Sequence, residues 1–176
     1  MRKRIMPVLL LAALLAACAE ERKDAGPAGG KQAENVWLSY GEGMELARNL
    51  GKPVVIDFYT SWCRWCKVMD EKTFSDPRVS SYLAEHFICI RLNAEGRTGA
   101  LKWKDRVYTP AELTRAFQVQ GYPSLAYIDD GGDLVLVDPG FKEPGPFMQV
   151  LEYVRSGCHE KGVTLDQYRR NGGRCG

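Results

Sequence analysis

Residues 54 to 67 read VVIDFYTSWCRWCK, a β-branched and aromatic run that stops just before two cysteines three positions apart. The run has the length and composition of a buried strand, so the cysteines open whatever follows it. Such a pair serves as a structural clamp, half a zinc site, a haem attachment or a redox centre, and each needs different surroundings. Haem attachment requires histidine directly after the second cysteine, and position 67 is lysine. A structural zinc site needs four N/S ligands, yet no second close pair accompanies the first, and Cys158-His159 lies far along the chain. No metal is therefore expected. A redox pair needs an accessible acidic thiol and a second thiol that resolves the mixed disulfide. A helix beginning at Cys63 provides unpaired backbone N–H groups and a positive dipole end, which favour thiolate. Cys66, one turn further, falls on the same side and is expected to be shielded.

The N-terminus MRKRIMPVLLLAALLAAC has a basic start, a short apolar run and small residues before Cys18, the pattern of an export signal. At about 13 residues the apolar run is shorter than the roughly 20 that a transmembrane helix requires. Leu15-Ala16-Ala17-Cys18 resembles the lipobox of bacterial lipoproteins, which implies cleavage after residue 17 and lipidation of Cys18. By the same resemblance, Glu20 favours the outer over the inner membrane. Loss of residues 1–17 removes Arg2, Lys3 and Arg4, turning the formal net charge from +2 to −1. No basic stripe with interleaved aromatics exists, and no nucleic-acid partner is expected.

Export also changes what the six cysteines mean, since disulfides persist outside the cytosol. With Cys18 lipidated, pairing Cys63 with Cys66 and Cys158 with Cys175 leaves Cys89 outside both, as a buried, inert strand residue. The alternative for Cys158 and Cys175 is two tail thiols, because sequence does not fix connectivity.

From Ala19 to about Glu34 the chain is polar and Gly/Pro-rich, a tether with a reach of roughly 20 to 24 Å. Beyond it, Met44, Leu46, Ala47 and Leu50 form a rough apolar helix face ended by Gly51 and Pro53. Asp76 and Pro77 begin a second helix as N-cap and first residue, and Thr109, Pro110 and Glu112 begin another with a capping box. Strands are expected at 54–59, 87–93, 124–129 and 134–137, a loop over 94–108, and a helix from about Pro146 with Phe147, Val150, Leu151 and Val154 on its buried face. Thr164 caps a last short helix. This order gives an α/β fold, a sheet sandwiched by helices.

VVIDFYTSWCRWCK resembles the active-site segment of the thioredoxin superfamily, and VQGYPSLAYIDDGGDLV resembles its cis-proline segment and following hairpin. WCRWCKVMDEKTFSDPRV is similar to the C-terminal domain of periplasmic thiol:disulfide interchange reductases and related exported lipoproteins. Arg64-Trp65 stands where ordinary thioredoxins carry Gly-Pro, and the helix proline of those proteins is absent. The resemblance implies a thioredoxin fold, with a central mixed sheet flanked by helices on both faces, in a domain spanning 35–157, after a signal at 1–17 and a lipidated tether at 18–34 and before a C-terminal extension at 158–176. It implies Cys63 as nucleophile, Cys66 as resolving thiol and Asp57 as a buried proton acceptor. Tyr122 and Pro123 form the cis-proline site, whose backbone groups pair with a substrate peptide, and Trp62 and Trp65 are either an apolar substrate rim or plain packing. The expected protein is a periplasmic, lipid-anchored monomer without cofactor. It would take electrons from a membrane thiol transporter and reduce disulfides of exported proteins. An oxidase or isomerase of the same fold, a noncatalytic binding module and a copper chaperone are the competing readings; the last lacks the cysteine spacing and nearby histidine it needs.

Overall fold

The computed structural model describes residues 36–176; the signal segment, Cys18 and the tether lie outside the described residues. Five strands form the main sheet in the order β1-β3-β2-β6-β7: β1 (Trp37–Leu38), β2 (Val54–Tyr59), β3 (Ile88–Asn93), β6 (Ser124–Ile128) and β7 (Leu134–Pro139). β1, β3 and β2 run parallel, while β6 is antiparallel to both β2 and β7. The central strand β2 is covered on both faces, which is why its sequence is almost continuously apolar.

Alternation along β2 sorts the core into two layers. Val54, Ile56 and Phe58 pack with Ala47 of α1 (Tyr40–Leu50) and with Leu113 of α4 (Pro110–Ala116). Val55 faces the other layer, with Met69 of α2 (Arg64–Met69), Val79 and Leu83 of α3 (Pro77–His86), and Phe147, Val150, Leu151 and Val154 of α5 (Pro144–Arg155). The four α5 residues are the face read from their spacing; the helix itself starts two residues earlier than expected, with Pro144 at its first turn. Helices on both sides of a mixed sheet are the layers expected.

Two local expectations are corrected. The buried face of α1 is Tyr40, Gly43 and Ala47, whereas Leu46 and Leu50 are exposed. A Cβ at Gly43 would collide with the Ile90 side chain, so the helix sits close on β3 along its glycine side and its leucines turn outward. Within the expected loop 94–108, β4 (Leu101–Trp103) and β5 (Arg106–Tyr108) form a hairpin. Its charged residues hide the alternation, but Trp103 packs on Phe117 at 5.1 Å and Tyr40 Oη donates to the Lys102 carbonyl at 3.1 Å. The helix after the cysteines widens into a π-helical turn, Asp70–Phe74.

The expected caps form: Asp76 accepts from the backbone N–H of Arg78 at 2.9 Å, and Thr109 with Glu112 makes a capping box. Residues 158–176 rest on the α5 layer through wholly buried Cys158 and through Tyr168 of α6 (Leu165–Arg170), its ring tilted against that of Tyr153 at 5.4 Å. Cys158 is joined to Cys175, with Cα atoms 5.1 Å apart. Cys89 is buried in β3 and belongs to neither disulfide.

Candidate active site

The strand β2 ends at Tyr59, and four residues later Cys63 caps α2 in an extended conformation. Cys63 and Cys66 are joined, their Cα atoms 5.3 Å apart, and Cys63 Sγ accepts the backbone N–H of Cys66 at 3.0 Å. Hydrogen bonding of this kind at a helix start favours negative charge on that sulfur once the bond opens. The expected contrast in accessibility is absent in the disulfide: Cys63 is 4% and Cys66 6% exposed. Linked sulfurs are buried together, so any asymmetry must come from chemistry or from the reduced state.

Around them stands a rim of aromatic side chains. Trp62 is 68% and Trp65 57% exposed, far more than packing residues would be. Trp62 meets Tyr122 edge-on at 6.0 Å, and Trp65 lies 5.7 Å from Phe141. Tyr122-Pro123 is a cis peptide, and Phe58 pairs with Ser124, so the proline lies at the same end of the sheet as the cysteines. The backbone groups expected to be open beside it do not include the Pro123 carbonyl, which accepts from Gly140 N–H at 2.8 Å.

Two rim residues escape the sequence reading. Glu95 accepts the Trp62 indole N–H at 2.9 Å and the Ser61 N–H and hydroxyl at 3.2 Å each, and these bonds hold its carboxyl below the usual range, the Ser61 backbone contact most of all. Phe141 follows β7 in a loop tied down by Lys142, whose carbonyl accepts from Thr73 and whose ammonium pairs with Asp138 at 3.0 Å. Neither residue carries a motif; only the fold brings them to the cysteines.

Behind the pair, Asp57 is wholly buried, and burial pushes its carboxyl up to about 6, with the Arg91 guanidinium opposing that rise and Asp70 adding to it. Arg91 is the cross-strand partner of Asp57 and bonds both acids: its Nε donates to Asp57 Oδ2 at 3.0 Å, and its Nη2 pairs with Asp70. Asp57 Oδ1 has no partner among the described residues. The guanidinium lies 4.8 Å from the Trp37 ring and 5.5 Å from the Tyr59 ring. Nothing local marks Arg91, a single charge in the strand expected over 87–93. His159 pairs with Asp129 at 3.3 Å in a half-buried contact. Among the described residues no His/Cys/Asp/Glu group is arranged to hold a metal ion. An openable disulfide with an apolar rim can carry out thiol–disulfide exchange, and Arg91, which lines the space beside both cysteines, is the residue that bonds the buried Asp57.

Residues 40–155 match the family described as Thioredoxin-like domain. The thiol:disulfide interchange protein DsbD of Vibrio vulnificus is 29% identical over 113 residues, which make up 63% of this chain and 17% of that protein. The chain thus spans a small part of that relative's length. Among solved structures, a DsbH oxidoreductase superposes with a TM-score of 0.59 at 20% identity, covering 76% of this chain and 94% of its own. The oxidised C-terminal domain of Neisseria meningitidis DsbD gives 0.50 at 23% identity, covering 68% of this chain and 100% of its own. These likenesses establish the expected fold.

Proposed function

The chain belongs to the thioredoxin-like domain family, and from that membership we propose that it is an exported thiol:disulfide oxidoreductase that reduces disulfides in exported proteins. The observation that carries the reading is the Cys63–Cys66 disulfide capping α2, at the same end of the sheet as a cis-proline and backed by a buried acid. In the dithiol form Cys63 thiolate attacks a substrate disulfide and displaces one substrate thiolate, leaving a mixed disulfide. Cys66 then loses its proton to Asp57 Oδ1 and attacks Cys63 Sγ, releasing the second substrate thiolate and closing the pair. Trp62, Trp65 and Tyr122 flank the bound peptide, and backbone beside Pro123 aligns it.

Electrons come from a membrane thiol transporter, and Cys18, lipidated after removal of residues 1–17, tethers the domain at the periplasmic face of the outer membrane. Support for the anchor is the Leu15-Ala16-Ala17-Cys18 segment alone.

Reduced protein treated with limiting alkylating reagent near pH 7 and mapped by peptide is expected to carry the label on Cys63. Label on Cys66 would reverse the two roles. Cys63 and Cys66 found mainly as a disulfide in the cell, with a potential near the oxidising end of the family, would make the protein an oxidase instead.

A further inference from the structure

A cavity of about 160 Å³ borders the disulfide, lined also by Tyr59 and Ser61. Both cysteines line it, with Thr60, Lys67, Asp70 and Arg91, while Trp62, Trp65, Tyr122 and Pro123 do not. Its volume is about half the lower end of the roughly 300–1,000 Å³ of pockets for drug-sized ligands, which excludes a folded peptide and suits a single amino acid.

Its polar groups are incompletely used. Thr60 is 3% exposed, and its buried hydroxyl has no hydrogen-bond partner among the described residues. A buried hydroxyl without a partner costs free energy that a ligand group can recover. Lys67 makes no ion pair among the described residues, so its ammonium is open to a carboxylate. Arg91 is engaged by Asp57 and Asp70, and the Asp70 side chain, 42% exposed, presents a carboxylate to the same space. A cation and an anion beside a disulfide match the carboxylate and ammonium of an amino acid that itself bears sulfur.

We propose that this cavity is a docking site for a low-molecular-weight amino-acid thiol, and that the disulfide of such a thiol is a second substrate. The proposal rests on the redox role of Cys63 and Cys66 given above. One half of the small disulfide enters with its carboxylate on Lys67 and Thr60 and its ammonium on Asp70. Cys63 thiolate attacks one ligand sulfur, the ligand S–S bond breaks, and the first thiolate leaves and takes up a proton. Cys66, its proton passed to Asp57, attacks Cys63 Sγ and expels the second thiolate, which is protonated in turn. The small disulfide is reduced to two thiols, and the protein dithiol is oxidised to its disulfide.

Pre-reduced protein, freed of reductant, is mixed with cystine, with cystamine or with insulin, and oxidation is followed by acid quench and thiol labelling. Cystamine keeps the amines and lacks the carboxylates. Cystine is expected to react faster than cystamine, and Lys67→Ala and Thr60→Val to slow cystine by about fivefold, the scale of one accessible polar contact, while cystamine and insulin change by less than about twofold. Insulin reduced normally with cystine no faster than cystamine would overturn the cavity assignment alone. An equal loss for all three probes in Lys67→Ala would overturn it too, since that marks a general effect on the thiolate. Wild-type protein inert toward all three would overturn the redox reading beneath it.

Discussion

Arg91 donates to one oxygen of Asp57 at 3.0 Å and leaves the other buried without a partner among the described residues. The guanidinium therefore does two things at once. It fixes the carboxylate by Oδ2, and its charge offsets part of the burial that raises the acid to about 6. An acid titrating there can take a proton from a thiol near neutral pH and return it, as a general base must.

Asp57→Asn is expected to slow resolution of the mixed disulfide on the order of a hundredfold, within the usual range for general acid–base catalysis. The wild-type rate should show an inflection near pH 6 that the variant lacks. Arg91→Met removes the opposing charge and should move that inflection upward, with Arg91→Lys in between. Single-turnover rates across pH 5 to 9, read by mixed-disulfide accumulation, check this; an unmoved inflection in Arg91→Met would show that another group titrates.

The same carboxyl links stability to pH. Its folded value, about 6, lies above the ordinary 3.8, so the folded protein holds this proton more tightly than the unfolded chain does. The stabilising contribution is full below about 4 and is lost as pH rises through about 6, amounting to about 3 kcal/mol at most. Urea unfolding at pH 4, 5, 6 and 7 should show this decline in wild type, superposed on other titrations, and a flatter course in Asp57→Asn.

Glu95 holds Trp62 by its indole N–H, so Glu95→Ala should free the ring without touching the cysteines. The expected result is a KM for a protein disulfide higher by about threefold to tenfold, from loss of one charge-assisted bond, with kcat little changed. A fall in kcat at constant KM would show that Glu95 acts on the chemistry instead.

Local chemistry made much of this legible. The β2 run, the capping residues Asp76 and Thr109 and the α5 face of Phe147, Val150, Leu151 and Val154 each state their own geometry in a few neighbouring residues. Asp57 and Pro123 were singled out through the resemblance of the segments that carry them, and their roles rest on that resemblance. Arg91, Glu95 and Phe141 were not, because each reaches the cysteines from another element, and a single charged or aromatic residue looks the same in a strand or loop whatever lies across from it. The α1 face was misread for a related reason: glycine counts as neither apolar nor polar, yet Gly43 is the point of closest approach to Ile90. The hairpin at 101–108 is held by Trp103 on Phe117 and Tyr40 on Lys102, contacts with no local signature.

The C-terminal disulfide closes a separation of 17 residues around α6. Besides the link, the segment is held by buried Cys158, by His159 paired with Asp129 at 3.3 Å, by Tyr168 against Tyr153, by the Tyr153 hydroxyl donating to the Val163 carbonyl at 2.8 Å, and by partial cover from Val163 and Leu165. In the chain-entropy account a loop of this size contributes about 3 kcal/mol by restricting the unfolded chain. Cys175→Ser removes the bond while leaving buried Cys158 as a small apolar thiol, so the loss measured is that of the link and not of a core side chain. Urea unfolding should show a midpoint lowered accordingly, and Cys63–Cys66 exchange activity should be retained, since the segment rests on α5 and not on the α2 cap. Non-reducing peptide mapping of protein isolated from its own cells without reductant provides the direct reading: a linked Cys158–Cys175 peptide is expected, and both recovered as thiols would mean that the extension is held by packing alone.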